Sequence, residues 1–483
     1  MGAKNLVQLI VVILGVFLSF GTKYISPPAG LSQSGFEVVG ILIASLLMWL
    51  VINIEWPSLF ILFALMTIPE LGVKTIAASS FGNTLVVFFI TCFILASSLI
   101  TTGVAKRIAV WCVTNNLSRK DPWLNVLMLF GGAFLLGLGL TAPGVLVIYF
   151  PIIYEVIEMA KYEKGEEVPK MLVLGTAIVT QTAMTVAPIC HAVALQGMAM
   201  YNAYTGNTIS VGTFAMIGLP TGVGIFALFY LICRFIWKPD LSKLKNVDHE
   251  AIKAKLGPMK LEEKIAVCAY LLVIIFWLLP GLIEYFPKLA FMKQVENTFP
   301  PIIAISLLCM IRINGKPVLD YDRAVKQEIP WKIIIFMAAI QAESLALADK
   351  KIGFPQWAES VLTPMFVNIS PLAFEVLLIG FALIMTQFIS NGITLAVIGS
   401  IGLPLALTIY HGQVNPLILT ILLIGASNCA FATPAATHAM ALTSATGWVD
   451  TKKMAQYGSY AAIAAMLTYC ILGISLGDLL FGI

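Results

Sequence analysis

Apolar residues run almost unbroken along this chain, over Asn5–Gly21, Val38–Ile54, Trp56–Pro69, Thr75–Ala105, Pro122–Tyr154, Met171–Cys233, Ile265–Ile283, Asn297–Ile311, Ile333–Ala348, Ser360–Val449 and Met454–Gly477. The runs do not alternate apolar with polar, so they predict helices and not barrel strands. Met171–Cys233 and Val376–Val449 contain no Asp, Glu, Lys or Arg. A membrane crossing takes about 20 apolar residues, so the first stretch holds two or more crossings and the second about three.

Several runs are interrupted at their centres. Gly137-Leu-Gly-Leu-Thr-Ala-Pro143-Gly144, Thr180-Gln181-Thr182 through Pro188, Ser390-Asn391-Gly392, and Ser427-Asn428 through Pro434 all place Gly, Pro and small polar residues inside apolar sequence. A break in a lipid-embedded helix strands backbone N–H and C=O groups unless they meet a ligand or an internal aqueous cavity. A single break also fits a plain packing kink, since Gly and Pro are common in membrane helices.

The breaks come in pairs. Thr180-Gln-Thr-Ala183, Pro188 and His191-Ala-Val-Ala-Leu195 match Ser427-Asn-Cys-Ala430, Pro434 and His438-Ala-Met-Ala-Leu442, with one gap and 247 positions between the histidines. Each member follows its own earlier break, near Thr141 and near Ser390. The chain therefore reads as two homologous halves, a pattern that points to a transporter site at the paired interruptions. The first half covers 1–237, the linker 238–264 and the second half 265–483.

Charge sets the expected topology. If Pro122–Tyr154 and Pro355–Tyr410 are re-entrant hairpins and the N-terminus is cytoplasmic, 23 of the 29 Lys and Arg fall inside and 6 outside. That bias obeys the positive-inside rule. It predicts an all-α polytopic membrane protein with about eleven transmembrane helices and two hairpins in two inverted repeats. The inward hairpin covers about 121–160 and the outward one about 355–411, with broken helices at about 168–203 and 413–445 and an external C-terminus.

Composition agrees. Hydrophobic residues make up 59% and charged residues 11% of the 483 positions. Soluble domains carry about 25% charged residues. The net charge of +4 is spread over short loops, which gives nucleic acid no basic face. The eight cysteines stand singly with no Cys-x-x-Cys pair, and read as small core residues. The first run reads as a span and not as a cleaved leader, because no small-residue cleavage pattern follows it.

The order of elements and the broken motifs resemble the divalent anion:sodium symporter family. That family has two inverted repeats, each with a Ser-Asn-Thr hairpin and a broken helix with a Thr-Pro or Pro-Asn turn. Here the second hairpin has Ser390-Asn391-Gly392 with Thr394 nearby, the first has Thr141-Ala142-Pro143 without the Asn, and the second broken helix keeps Ala432-Thr433-Pro434. The resemblance implies an elevator-type homodimer in a bacterial plasma membrane, in contact with lipid. It also implies a small dicarboxylate substrate of four or five carbons, such as succinate, malate, fumarate or 2-oxoglutarate. In relatives the hairpin tips bind the carboxylates and sodium sits beside each tip. With neither Ser-Asn-Thr motif intact, the expected carrier is a Na⁺-independent exchanger without a cofactor. Na⁺ near Thr141 and Ser390-Asn391 stays open, and a Na⁺-coupled symporter is the alternative.

The chemistry of an anion site fits these segments. Each break starts a new helix, at Pro143-Gly144, near Gly392, after Pro188 and after Pro434, and helix N-termini bind anions through free N–H groups and a partial positive charge. Thr141, Ala142, Pro143, Gly144, Ser390, Asn391, Gly392, Thr394, Thr433, Pro434 and Thr437 are the expected substrate-binding residues. His191 and His438, in the matched motifs, are candidates to balance the substrate's charge or are simply neutral interior histidines. Glu343 and Glu375 read as structural or at an aqueous edge, and Gln181, Gln196 and Gln387 as packing amides. An intramembrane hydrolase finds no Gly-x-Ser-x-Gly or His-Glu-x-x-His motif and no reason for doubled breaks.

Overall fold

A computed structural model describes residues 3–189, 191–282, 297–349, 351–354, 356–357, 360–361, 364 and 368–482. The expected start of the second hairpin at 355 and the loop lysines Lys288, Lys293 and Lys350 lie outside the described residues.

The chain is helical. In the first half the helices are α1 Ala3–Phe20, α2 Gln33–Val51, α3 Trp56–Met66, α4 Gly72–Ser79, α5 Thr84–Thr101, α6 Val104–Thr114, α7 Pro122–Gly137, α8 Ala142–Met159, α9 Glu167–Ala183, α10 Ala192–Thr205 and α11 Val211–Ile232. They continue as α12 His249–Ala254, α13 Leu261–Leu282, α14 Phe299–Met310, α15 Tyr321–Gln327, α16 Trp331–Ala348, α17 Pro371–Met385, α18 Asn391–Thr408, α19 Pro416–Asn428, α20 His438–Ala445, α21 Thr451–Thr468 and α22 Ile474–Phe481.

Among the described residues eight segments are long and apolar enough to cross a membrane, and five further apolar helices are shorter. The expected third span is one of the short ones. Trp56–Met66 has 11 residues, about 16 Å of helix against a hydrocarbon core of about 30 Å. Likewise α7 and α17, with 16 and 15 residues, stop short and lead into a break and a second helix of 18 residues.

Local chemistry sets these boundaries. Asp121 caps α7 by accepting from the Trp123 and Leu124 amides, with Pro122 in the first turn. Ser370 and Asn415 cap α17 and α19 in the same way, again ahead of a proline. A proline there loses no hydrogen bond, because the first-turn N–H has no intrahelical partner.

Buried apolar side chains form two clusters. The smaller is built mainly from α2, α3 and α16, and the larger from most of the rest. Two glycines let neighbouring helices lie directly on the breaks. A Cβ at Gly218 of α11 would collide with the Val186 carbonyl, and one at Gly458 of α21 with the Phe431 carbonyl. The same close approach thus occurs once in each half. Gly458→Val is expected to push the second break out of place, costing about 1–3 kcal/mol as overpacking does. A lowered melting temperature in detergent checks this, against Gly380→Val, where a Cβ meets only the Met466 Cε at 3.4 Å.

Candidate functional site

The four breaks meet at one cavity of about 680 Å³. Helices α8, α10, α18 and α20 each begin there. Thr141 and Pro143, His191 and Ala192, Ser390 to Gly392, and Thr437 and His438 all line it. At a helix N-terminus the first N–H groups are free of intrahelical bonds and carry about half a positive charge, so four converging ends offer roughly two. The opposite wall is apolar, with Phe89 and Phe93 from α5 and Ile333 and Phe336 from α16.

Each N-terminus is shaped by its own sequence. Thr141 is the cap of α8 and its hydroxyl accepts from the Gly144 amide at 3.4 Å. Ser390 is the cap of α18 but its hydroxyl makes no capping bond. His191 occupies the cap position of α10, is 1% exposed and likewise makes no capping bond. Thr437 caps α20 by accepting from the Met440 amide at 3.2 Å. The matched histidines are therefore offset by one position, since His438 is the first residue of its helix and is exposed.

The prolines lie ahead of the new helices. Pro188 and Pro434 do not open the following helices, which begin at Ala192 and His438. Pro434 sits in a turn closed by the Ala436 amide, which donates to the Thr433 carbonyl at 3.2 Å, four residues before His438. Four expected site residues do not line the cavity. Ala142 is buried in the first turn of α8, and Gly144 serves the Thr141 cap. The Thr394 hydroxyl is fully buried, and Thr433 donates to the Gln387 carbonyl at 2.5 Å.

A polar network braces the second tip. The Thr386 hydroxyl shares its one hydrogen between the Ser427 carbonyl at 2.5 Å and the Asn391 side-chain oxygen at 3.0 Å, and Asn391 donates to the Asn428 side chain at 3.4 Å. Gln387 donates to the Leu383 and Cys429 carbonyls at 2.8 and 2.7 Å and accepts from the Phe431 and Ala432 amides at 2.9 Å each. Two amides from the first half reach across. Gln181 donates to the Asn428 carbonyl at 3.1 Å and Gln196 to the Gly392 carbonyl at 2.8 Å.

Sequence reasoning undervalued these amides. Gln181, Gln196 and Asn428 all line the cavity. The Asn428 carboxamide NH₂ is buried there without a hydrogen-bond partner among the described residues, and such a donor is costly unless something accepts from it. Its signal was present, because Asn428 and Gln181 occupy equivalent places in the matched motifs. The two acids singled out in the sequence stand elsewhere. Glu343 on α16 accepts from the Ser45 hydroxyl at 2.8 Å and, like Glu375 on α17, does not line the cavity. His249 bonds the Val113 carbonyl at 3.0 Å in the linker.

Comparison with known proteins decides the family. The model of the sodium:sulfate symporter transmembrane region matches residues 3–483. The chain belongs to the divalent anion:sodium symporter family. It is thus an integral membrane protein of a transporter family. Two curated relatives carry the name sodium-dependent dicarboxylate transporter SdcS. The one from Staphylococcus saprophyticus is 26% identical over 484 residues, covering 96% of this chain and 90% of that protein. The one from Staphylococcus aureus is 24% identical over 499 residues, covering 97% and 92%. Among solved structures, the Alcanivorax borkumensis YdaH transporter aligns with a TM-score of 0.62 at 12% identity, over 99% of this chain and 98% of that one. Neisseria gonorrhoeae MtrF aligns with a TM-score of 0.60 at 15% identity, over 98% and 96%. These two likenesses place this member of the symporter family in a transporter fold.

Proposed function

We propose that this protein is a secondary carrier that exchanges small dicarboxylates of four or five carbons across a bacterial plasma membrane. The observation that carries the reading is the convergence of four helix N-termini and neutral donors on one cavity whose described lining holds no Lys or Arg. A dianion needs donors that replace its water, and about two charges' worth of fixed dipoles match it without forming a tight salt bridge that would slow release. Thr141, Ser390, Asn391, Asn428 and Thr437 supply the side-chain contacts, and the imidazoles of His191 and His438 stand beside them. The names of the curated relatives point to the same substrate class.

The transport cycle is of elevator type. The pairs α7–α8 and α17–α18 act as re-entrant hairpins of two inverted halves and, with the broken helices, carry the substrate past the apolar wall of α5 and α16. A smooth apolar wall supports this, because sliding past it breaks few polar contacts. A homodimer would hold that wall still, with the N-terminus cytoplasmic and the C-terminus outside.

The second tip offers sodium carbonyl oxygens that are already in part engaged, beside the Thr394 and Ser427 hydroxyls, which are buried without a hydrogen-bond partner among the described residues. The Leu383, Ser427, Cys429, Asn428 and Gly392 carbonyls, the hard oxygens a cation would recruit, each accept a hydrogen bond from a side chain of this chain. The Gln387 amide bridges two of them. The Na⁺-coupled reading is favoured by the sodium dependence in the relatives' names, by the sodium symporter named in the matching family model, and by the unpartnered Thr394 and Ser427 hydroxyls. Counterflow in proteoliposomes tests the substrate class. Vesicles preloaded with succinate are expected to accumulate labelled succinate, and a panel of four- to six-carbon acids to compete, with the four- and five-carbon diacids the strongest. Competition by monocarboxylates or sulfate alone would overturn the dicarboxylate reading.

A further inference from the structure

An acid lines this anion site. The titratable groups in the cavity's described lining are His191, His438 and Glu328. Glu328 follows the last turn of α15, in the connection to α16, and is half-buried. Its carboxylate takes part in no ion pair or side-chain hydrogen bond among the described residues. The nearby Lys332 does not balance it, because Lys332 pairs with Glu55 at 2.6 Å. Those two residues adjoin the lining residues Ile333 and Ile54, so their pair cancels at the same rim and leaves Glu328 as a net negative charge.

A carboxylate with no structural bond, facing a cavity for anions, works against affinity. Repulsive groups of this kind serve discrimination, by rejecting the wrong ligand more than they weaken the right one. Coulomb repulsion grows with ligand charge. The fixed dipoles of the four helix ends offer roughly two charges, so a third carboxylate meets Glu328 without further compensation.

We propose that Glu328 is a charge filter that sets the accepted substrate charge at two, admitting dicarboxylates and rejecting tricarboxylates of similar size. The inference rests on the dicarboxylate reading above. One extra unit of ligand charge at a screened separation on the order of 8–10 Å corresponds to roughly a three- to tenfold difference in apparent affinity.

The test is competition against labelled succinate counterflow at about pH 8, where citrate and tricarballylate are trianions and succinate a dianion. The readout is the ratio of half-inhibitory concentrations, tricarballylate over unlabelled succinate, which is internal to each preparation and independent of how much protein folds. Glu328→Gln is expected to lower that ratio roughly three- to tenfold, and Glu328→Asp, which keeps the charge, to leave it near the wild-type value. Citrate should follow tricarballylate. A ratio that stays the same in Glu328→Gln, or falls equally in Glu328→Asp, overturns the filter while leaving the dicarboxylate reading intact. No succinate counterflow in the wild type overturns that reading, and the filter with it.

Discussion

Asn391→Ala is expected to abolish dicarboxylate transport in reconstituted vesicles while the purified protein remains folded and monodisperse. Asn391 is the first residue of α18, 9% exposed, and joins the tip to both Thr386 and Asn428. The substitution removes one donor to the substrate and releases the Asn428 side chain from its orientation. A hydrogen bond to a charged group is worth about 1.5–3 kcal/mol, which is roughly ten- to a hundredfold in affinity for one contact. Two contacts disturbed together take uptake below detection at working concentrations. The fold loses little, because the α18 cap is made by backbone geometry and Thr386 keeps its bond to the Ser427 carbonyl. Asn391→Asp should be at least as damaging, since an added carboxylate faces the dianion. Uptake by Asn391→Ala at the wild-type rate would remove the second tip from the site.

Uptake is expected to require a counter-substrate and not Na⁺. Vesicles preloaded with succinate should take up labelled succinate equally in Na⁺ and K⁺ buffers, and empty vesicles should take up little in either. The reason is electrostatic. Four helix ends offer roughly two positive charges and Glu328 offsets one, so the empty cavity keeps an uncompensated positive excess, and moving such a site through a low-dielectric seam is costly. A bound dianion relieves that cost, so the loaded carrier crosses and the empty one does not. Strong uptake into empty vesicles that appears only with an inward Na⁺ gradient would replace the exchanger with the symporter that the relatives' names describe.

What the sequence made legible was the position of the breaks, because Gly, Pro and paired small polar residues mark them directly and the matched motifs tie one half to the other. Thr141, Pro143, Ser390, Asn391, Gly392, Pro434, Thr437, His191 and His438 all line the cavity. The side chains that hold the tips were harder to read. Gln196 bonds the carbonyl of Gly392, a residue 196 positions away, and Gln181 bonds that of Asn428, 247 away. An isolated glutamine in an apolar run looks the same whether it packs a helix or serves a break. The apolar run Trp56–Pro69 suggests a span, but its helix ends at Met66, because apolar character continues past the last helical turn. Glu328 lies in a connection with no motif at all, and only its place on the cavity singles it out.

The central claim is that a dicarboxylate binds where the four helix N-termini meet. A high-resolution structure of the protein in lipid nanodiscs with saturating succinate tests it directly. Density for a four-carbon diacid is expected in the cavity, with its carboxylates against the N-terminal ends of α8 and α18 and within hydrogen-bond reach of Asn391 and Asn428. Succinate bound elsewhere in a protein that still transports it, with this cavity holding only water, would contradict the account.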